Sequence, residues 1–89
     1  MSIAPHATPN PNARKFVLPE RRFAEPHNFS SAAQAYADPL ATRLFALAGV
    51  YNVFFAQDFV TINKRPDIPW EPLETQVISL LAAWLPSTD

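Results

Sequence analysis

Hydrophobic and polar residues alternate in three stretches of the chain, a pattern typical of β-strands with one buried face. The first runs from Arg14 to Leu18 and places Phe16 and Leu18 on the same side. The other two, Val50 to Ala56 and Phe59 to Lys64, are dense in β-branched and aromatic residues. Each of the three stretches is predicted to form a strand.

The turns that join these strands are suggested by the residues between them. Only Gln57 and Asp58 separate the second and third stretches, which predicts a tight antiparallel hairpin with either a two-residue or a longer, bulged loop. Phe54 and Phe55 are adjacent, so both faces of their strand need cover and the strand should lie in the middle of the sheet. A turn at Pro19-Glu20 predicts a further strand from Arg22 to Glu25, with Phe23 facing inward.

A helix is predicted after Asp38-Pro39. Asp is a favoured N-cap. Pro fits the first turn because an N–H at that position would have no acceptor within the helix, so its absence costs nothing. This helix is expected to end at Gly49. Upstream, Ser30 or Ser31 is predicted to cap a short helical turn. The apolar residues that follow Asp38-Pro39 at helical spacing are Leu40, Leu44, Leu47 and Ala48, with Phe45 beside them.

A second helix is predicted from Pro69 to Leu85, ended by Pro86. Glu71 and Glu74 lie in its first turn, where carboxylates complement the helix dipole. One face of this helix is apolar and consists of Leu73, Val77, Leu80, Leu81 and Trp84.

The order strand, strand, helix, strand, strand, helix predicts an α+β two-layer sandwich. Its antiparallel sheet should have about four strands, with two helices on one face. At 89 residues the chain is expected to be a single domain, 1–89. Residues 1–12 are predicted to be an extended, mobile lead-in, because the prolines of Thr8-Pro9-Asn10-Pro11-Asn12 exclude a regular helix.

Composition and charge narrow the classes of function. Apolar residues make up 48% of the chain, which is too many for a disordered segment. The formal net charge of −1 gives no basis for nucleic-acid binding, which depends on neutralising phosphates. There is no cysteine, which excludes disulfides and thiolate ligands. No apolar run is long enough to span a membrane and no targeting segment is recognisable, so a cytoplasmic location is expected.

No catalytic or metal-binding motif is recognisable. His6 and His27 are the only imidazoles and show no ligand spacing. Ser30 and Ser31, which follow His27, do not lie in a nucleophile-elbow motif. We therefore predict no enzyme, no catalytic residue, no metal site and no cofactor. The alternative is a small metal-binding or hydrolytic domain that uses His27 with carboxylates.

Basic residues cluster around the first predicted turn. If that turn forms a hairpin, Arg14 or Lys15 approaches Arg21 or Arg22 across adjacent strands. Such a cluster is either a solvated edge that discourages strand addition or a docking site for an acidic partner. Trp70 is either a packing residue or a partly exposed anchor for a partner. The candidate partner-binding residues are therefore Arg14, Lys15, Arg21, Arg22 and Trp70.

Several short motifs occur in a fixed order between about Thr8 and Leu85. They are Thr8-Pro9-Asn10-Pro11-Asn12 with Lys15-Phe16, Asp38-Pro39-Leu40-Ala41 with Leu44-Phe45, Gly49-Val50 with Val53-Phe54-Phe55, Asp58-Phe59-Val60-Thr61 with Lys64, and Trp70. This ordered set resembles the N-terminal domain of the Nfu/NifU-type iron–sulfur scaffold proteins. The resemblance implies an α+β domain and a role in iron–sulfur cluster biogenesis.

The sequence departs from that family in one functionally important respect. In full-length members a second domain carries a Cys-x-x-Cys motif that holds the cluster, and these 89 residues contain no cysteine. The expected role is therefore a non-catalytic one, in which the domain docks a separate cluster carrier or an apo-protein with an acidic surface. A structural homodimer that pairs through its sheet edge is a further alternative.

Overall fold

A single antiparallel sheet forms the frame of the computed structural model, which describes residues 3–84. The order of its five strands, β1-β2-β5-β4-β3, inserts the hairpin of β4 and β5 between β2 and β3. In chain order the strands are β1 (Ala4–Ala7), β2 (Ala13–Val17), β3 (Phe23–Phe29), β4 (Val50–Gln57) and β5 (Phe59–Lys64).

Three helices complete the described residues: α1 (Ala32–Ala35), α2 (Pro39–Phe45) and α3 (Trp70–Trp84). The predicted caps are confirmed. Ser31 accepts a hydrogen bond from the Gln34 amide, and Asp38 Oδ1 accepts one from the Ala41 amide at 3.0 Å. In residues 3–84 no helix combines the length and hydropathy needed to cross a bilayer.

The end of α2 differs from the prediction, and the predicted end of α3 cannot be compared with the structure. Helix α2 ends at Phe45, which is four residues before Gly49, and its C-cap is Ala46. Gly49 instead sits in the turn that leads into β4, where its φ is +95°. The predicted end of α3 at Leu85 and Pro86 lies outside the described residues.

The hairpin of β4 and β5 is confirmed as a tight one. Ala56 pairs with Phe59, so only Gln57 and Asp58 separate the last paired residues of the hairpin, although Gln57 still belongs to β4 through its pairing with Phe23 of β3. Gln57 adopts a positive φ of 46°, which this short turn requires. As predicted, β4 lies inside the sheet, between β5 and β3.

The strand predicted at Arg22 to Glu25 pairs differently from the expectation. It spans Phe23–Phe29 and pairs with β4, not with β2. The connection from β2 crosses the tip of the β4–β5 hairpin, where the Leu18 amide donates to the Asp58 carbonyl and the Arg22 amide to the Gln57 carbonyl. These bonds satisfy the backbone of the connection and carry the chain to the far side of the hairpin.

The lead-in predicted for residues 1–12 contains a fifth strand. Strand β1 pairs along its length with β2, from Ala4 opposite Val17 to Ala7 opposite Arg14. The proline-containing turn that follows is held by side chains. The Thr8 hydroxyl donates to the Asn10 carbonyl at 2.9 Å and accepts from the Asn10 amide at 3.1 Å. These bonds satisfy the Asn10 backbone in a turn where Pro9 and Pro11 have no amide proton to donate.

The hydrophobic core lies between the helices and one face of the sheet. The predicted two-layer α+β sandwich is thus confirmed, with five strands in place of about four. The largest fully buried side chains are Phe16, Val53, Phe55, Val60 and Ile62 from the sheet and Leu44, Leu73, Val77 and Leu81 from the helices.

Candidate functional site

The predicted basic cluster does not form one surface. Strands β2 and β3 are separated by β5 and β4, so their backbones lie about 14 Å apart at the usual strand spacing. The expected approach of Arg14 or Lys15 to Arg21 or Arg22 across adjacent strands is therefore wrong. Arg14 and Lys15 also point to opposite faces of β2, because successive side chains of a strand alternate.

Trp70 anchors the first turn of α3 to the sheet and to the turn between β1 and β2. Its indole Nε1 donates to the Pro11 carbonyl at 2.9 Å. The Arg14 guanidinium lies 4.7 Å from the centroid of its ring, and the Phe16 ring lies 6.3 Å away. Of the two interpretations of Trp70, packing is the one that these contacts favour.

Glu74 has a second role beyond the helix dipole. Its Oε1 lies 2.8 Å from Arg14 Nη1, and both side chains are about three-quarters buried. Arg14 is thus held between a carboxylate and the Trp70 ring. Glu71 is the acidic residue in the first turn of α3, so it is the one that matches the prediction of a carboxylate that complements only the helix dipole.

Lys64 is a buried cation beside this cluster. The residue is 5% exposed, and its Nζ donates to Asn12 Oδ1 at 3.1 Å and to the Arg65 carbonyl at 3.3 Å. The ammonium also lies 5.6 Å from the centroid of the Trp70 ring. Within residues 3–84 no carboxylate forms an ion pair with Lys64. Two neutral oxygens and an aromatic ring therefore stabilise its ammonium group.

The position of Lys64 could have been found from the sequence. Strand β5 alternates, and Lys64 follows Val60 and Ile62 at the same spacing on the buried face. A lysine at the inward position of such a strand indicates a buried ammonium that needs oxygen partners.

The face of the sheet opposite the helices carries Lys15, Val17, Phe54, Phe59 and Thr61, and we call it the open face. Its membership follows from the register, in which Val17 is opposite Phe59, and Thr61 is opposite both Lys15 and Phe54. The Lys15 Nζ lies 4.2 Å from the centroid of the Phe59 ring, and the Phe54 ring is 6.1 Å from the same ring. All five side chains are half-buried.

Arg21 and Arg22 lie in the connection between β2 and β3. Arg21 is exposed. The Arg22 guanidinium lies 5.8 Å from the centroid of the Trp84 ring and 3.6 Å from Glu20 Oε1. Arg22 therefore clamps the end of α3 to the connection, while Arg21 remains accessible.

The two histidines do not come together. His6 is in β1 and His27 in β3, the two edge strands, which are about 19 Å apart at the usual strand spacing. In the part of the chain that the structure describes, no group of three or more potential ligands could hold a metal ion. The alternative of a metal-binding or hydrolytic site that uses His27 thus has no geometric support among these residues.

Each edge of the sheet carries a proline. Pro5 lies in β1, and Pro26 lies in β3 within a register irregularity. Proline lacks the amide proton that a pairing strand needs, and irregular edges resist strand addition. These features disfavour a homodimer that pairs through a sheet edge.

Comparison with known proteins identifies one family. Residues 3–88 match the family model described as scaffold protein Nfu/NifU N terminal. The human protein named NFU1 iron-sulfur cluster scaffold homolog, mitochondrial, is 36% identical over 84 residues, and the match covers 91% of this chain and 33% of that protein. NifU-like protein 5, mitochondrial, of Arabidopsis thaliana is 34% identical over 83 residues, covering 91% of this chain and 30% of that protein. The chain thus spans about a third of the length of these relatives.

Solved structures share the fold. The solution structure of a NifU-like protein from Saccharomyces cerevisiae superposes with a TM-score of 0.78 at 27% identity, covering 91% of this chain and 75% of that one. A crystal structure of a Staphylococcus aureus protein gives a TM-score of 0.77 at 25% identity, covering 91% of this chain and 99% of that one.

Proposed function

Because this chain belongs to the family of the Nfu/NifU scaffold N-terminal domain, we propose that it is a non-catalytic interaction domain in iron–sulfur cluster assembly or delivery. The single observation that carries the proposal is the family match, which extends over residues 3–88. The names of the curated relatives, which describe iron–sulfur cluster scaffolds, support the same process.

In this proposal the ligands of the cluster lie outside these 89 residues. Iron–sulfur clusters are held mainly by cysteine thiolates, and these 89 residues contain no cysteine. The domain then contributes by docking, either to a separate cluster carrier or to an apo-protein with an acidic surface.

The proposed contacts come from the basic side chains and Trp70. Within residues 3–84, Lys15 and Arg21 have no carboxylate at ion-pair distance, so their charges are available to steer an acidic partner. Arg14 and Arg22 already face Glu74 and Glu20. With Trp70, they hold the surrounding backbone in place, and we propose them as further contacts on surfaces separate from the one that carries Lys15.

The proposal is tested by an amide chemical-shift titration of the ¹⁵N-labelled chain. The probe is the Cys-x-x-Cys domain of a scaffold relative, produced separately and added in its apo and cluster-loaded forms. We expect saturable shifts with a micromolar dissociation constant. The same domain with both cysteines replaced by serine is the control for cluster dependence. Unchanged spectra at high micromolar concentrations of both forms would contradict the proposal.

The proposal that these 89 residues hold no cluster has its own test. The chain is incubated anaerobically with iron and sulfide, desalted, and examined by absorption spectroscopy. We expect no iron–sulfur chromophore to remain with the protein. A stable chromophore in the absence of external thiols would show that the chain binds a cluster by other ligands.

A further inference from the structure

The adjacent residues Phe54 and Phe55 face opposite sides of β4 and have different surroundings. Phe55 is 1% exposed and packs against Phe23 and Phe29, with ring centroids 4.8 and 5.4 Å away. Phe54 is half-buried and belongs to the open face. Two adjacent aromatic residues in an interior strand call for cover on both sides, and the helices supply it on one side only.

The open face is separate from the hydrophobic core. Val17, Phe54 and Phe59 are absent from the cluster of core residues and from the partly buried hydrophobic residues that pack against it. The helices add their buried side chains, such as Leu44 and Leu73, to that core. In residues 3–84, therefore, no helix covers the apolar side chains of the open face. Val17, Phe54 and Phe59 thus form a half-buried apolar patch outside the core, and apolar patches on a protein surface are candidate interaction sites.

The charge on the open face indicates what kind of partner fits it. Lys15 holds its ammonium over the Phe59 ring at 4.2 Å, and no described carboxylate pairs with it. Its cross-strand neighbours are His6 and Thr61, neither of which is acidic. A carboxylate brought to this position would pair with a cation already ordered against an apolar ring, so little side-chain entropy would be lost on binding.

A second copy of the chain fits this surface poorly. Two open faces packed against each other would place two Lys15 ammonium groups, and no carboxylate from either set of five side chains, in one interface. Like charges in a desolvated interface are costly. The complementary surface is apolar and acidic, which the open face itself is not.

We infer that the open face is the docking surface of this domain, and that its partner is a polypeptide segment with aliphatic or aromatic side chains next to an Asp or Glu. The apolar side chains cover Val17, Phe54 and Phe59, and the carboxylate pairs with Lys15. This inference rests on the proposed function for the identity of the partner and adds the surface and its chemistry. It also separates Lys15 from the other proposed basic contacts, which lie elsewhere.

The test compares two charge reversals in the labelled chain. Lys15→Glu alters the open face, while Arg43→Glu makes the same change of charge at an exposed position on α2. Both are titrated with the Cys-x-x-Cys carrier domain after circular dichroism confirms folding. We expect shifts centred on Phe54 and Phe59, binding weakened at least about tenfold by Lys15→Glu, and less than about twofold by Arg43→Glu. A third variant, Phe59→Thr, keeps a strand-forming residue and removes the ring; it should weaken binding without changing the charge.

A second probe makes the result independent of iron–sulfur chemistry. A phage-displayed random peptide library is selected on the immobilised chain, and the selected peptides are then assayed against Lys15→Glu. We expect peptides that combine Asp or Glu with Leu, Ile or Phe and that lose binding to this variant. Peptides without acidic residues, peptides that bind the variant equally well, or no selected peptides at all would overturn the inference.

The outcomes distinguish the two proposals. If the carrier binds with shifts away from the open face and Lys15→Glu binds it normally, the proposed function stands and the open-face inference is wrong. If the carrier does not bind but acidic, apolar peptides do, the inference stands and the iron–sulfur partner is wrong. Concentration-dependent sedimentation with shifts on the open face would identify a second copy as the occupant and overturn the choice of an acidic partner.

Discussion

Gly49→Ala is expected to destabilise the protein by about 2–5 kcal/mol through two separable effects. The first is conformational, because Gly49 has a φ of +95°, where an L-residue costs about 1–2 kcal/mol. The second is steric. A Cβ at this position would lie 2.5 Å from Ile68 Cγ1 and 2.9 Å from Cγ2, and overpacking of this kind costs about 1–3 kcal/mol.

A double-mutant cycle with Ile68→Ala separates the two effects. Removing both γ carbons of Ile68 abolishes the closest overlaps but leaves the backbone conformation of Gly49 unchanged. In the Ile68→Ala background, Gly49→Ala should therefore cost little more than the conformational part, about 1–2 kcal/mol, because the Cβ of residue 68, 3.0 Å away, is the one close contact that remains. The single variant Ile68→Ala supplies the reference for the cavity that the truncation itself creates.

The assay is urea unfolding followed by far-UV circular dichroism, with thermal unfolding as a second measurement. A domain of this size loses about 4–8 °C in Tm for each kcal/mol, so Gly49→Ala should lower Tm by at least about 8 °C. The reasoning is refuted if Gly49→Ala costs less than about 0.5 kcal/mol in the natural background, since both effects would then be absent. An equal cost in both backgrounds would refute the steric part alone.

Three further predictions concern other parts of the fold. Asp38→Ala removes the acceptor for the Ala41 amide and should cost about 1 kcal/mol in urea unfolding, whereas Asp38→Asn keeps a good cap and should be nearly neutral; equal losses would argue against capping. Trp70→Phe keeps an aromatic ring but loses the hydrogen bond to the Pro11 carbonyl, so it should cost about 0.5–1.5 kcal/mol, and an unchanged stability would contradict the anchoring role. In hydrogen exchange, the amides of the central strand β5 should be the most protected and those of β1 among the least, since edge strands open locally; equal protection would contradict the strand order.

The elements that the sequence predicted well are those whose signals are local. Asp38-Pro39 supplies both a cap and a first-turn proline within two residues, and the structure starts α2 there. The β4–β5 hairpin follows from two dense strand patterns separated by Gln57-Asp58 alone. In both cases neighbouring residues carry the whole interaction, so no knowledge of distant partners is needed.

The pairing of β2 and β3 could not be predicted in this way. Pro19-Glu20 has the composition of a hairpin turn, and nothing local distinguishes a turn from a connection that crosses another hairpin. The choice is made by distant backbone partners, the carbonyls of Gln57 and Asp58, which accept from the Arg22 and Leu18 amides. Such long-range hydrogen bonds leave no periodic pattern in the sequence.

In the candidate site, too, local contacts could be predicted from the sequence and contacts between distant residues could not. The packing role of Trp70 was among the interpretations open from the sequence, because a tryptophan before an apolar helix favours it. The contact of Arg14 with Glu74 joins residues 60 positions apart and has no local signal. The clustering of basic residues in the sequence did not translate into a shared surface, because strand alternation and strand order disperse them.

The insertion of the β4–β5 hairpin between β2 and β3 has a consequence for the timing of folding during synthesis. Neither β2 nor β3 has its inner neighbour until residues 50–64 have left the ribosome. Until then the nascent chain can form only the β1–β2 pair and the short helices, while Phe16 and Phe23 have no sheet to pack into. Sheet assembly is therefore a late event, in which the last strands to be made join those that preceded them.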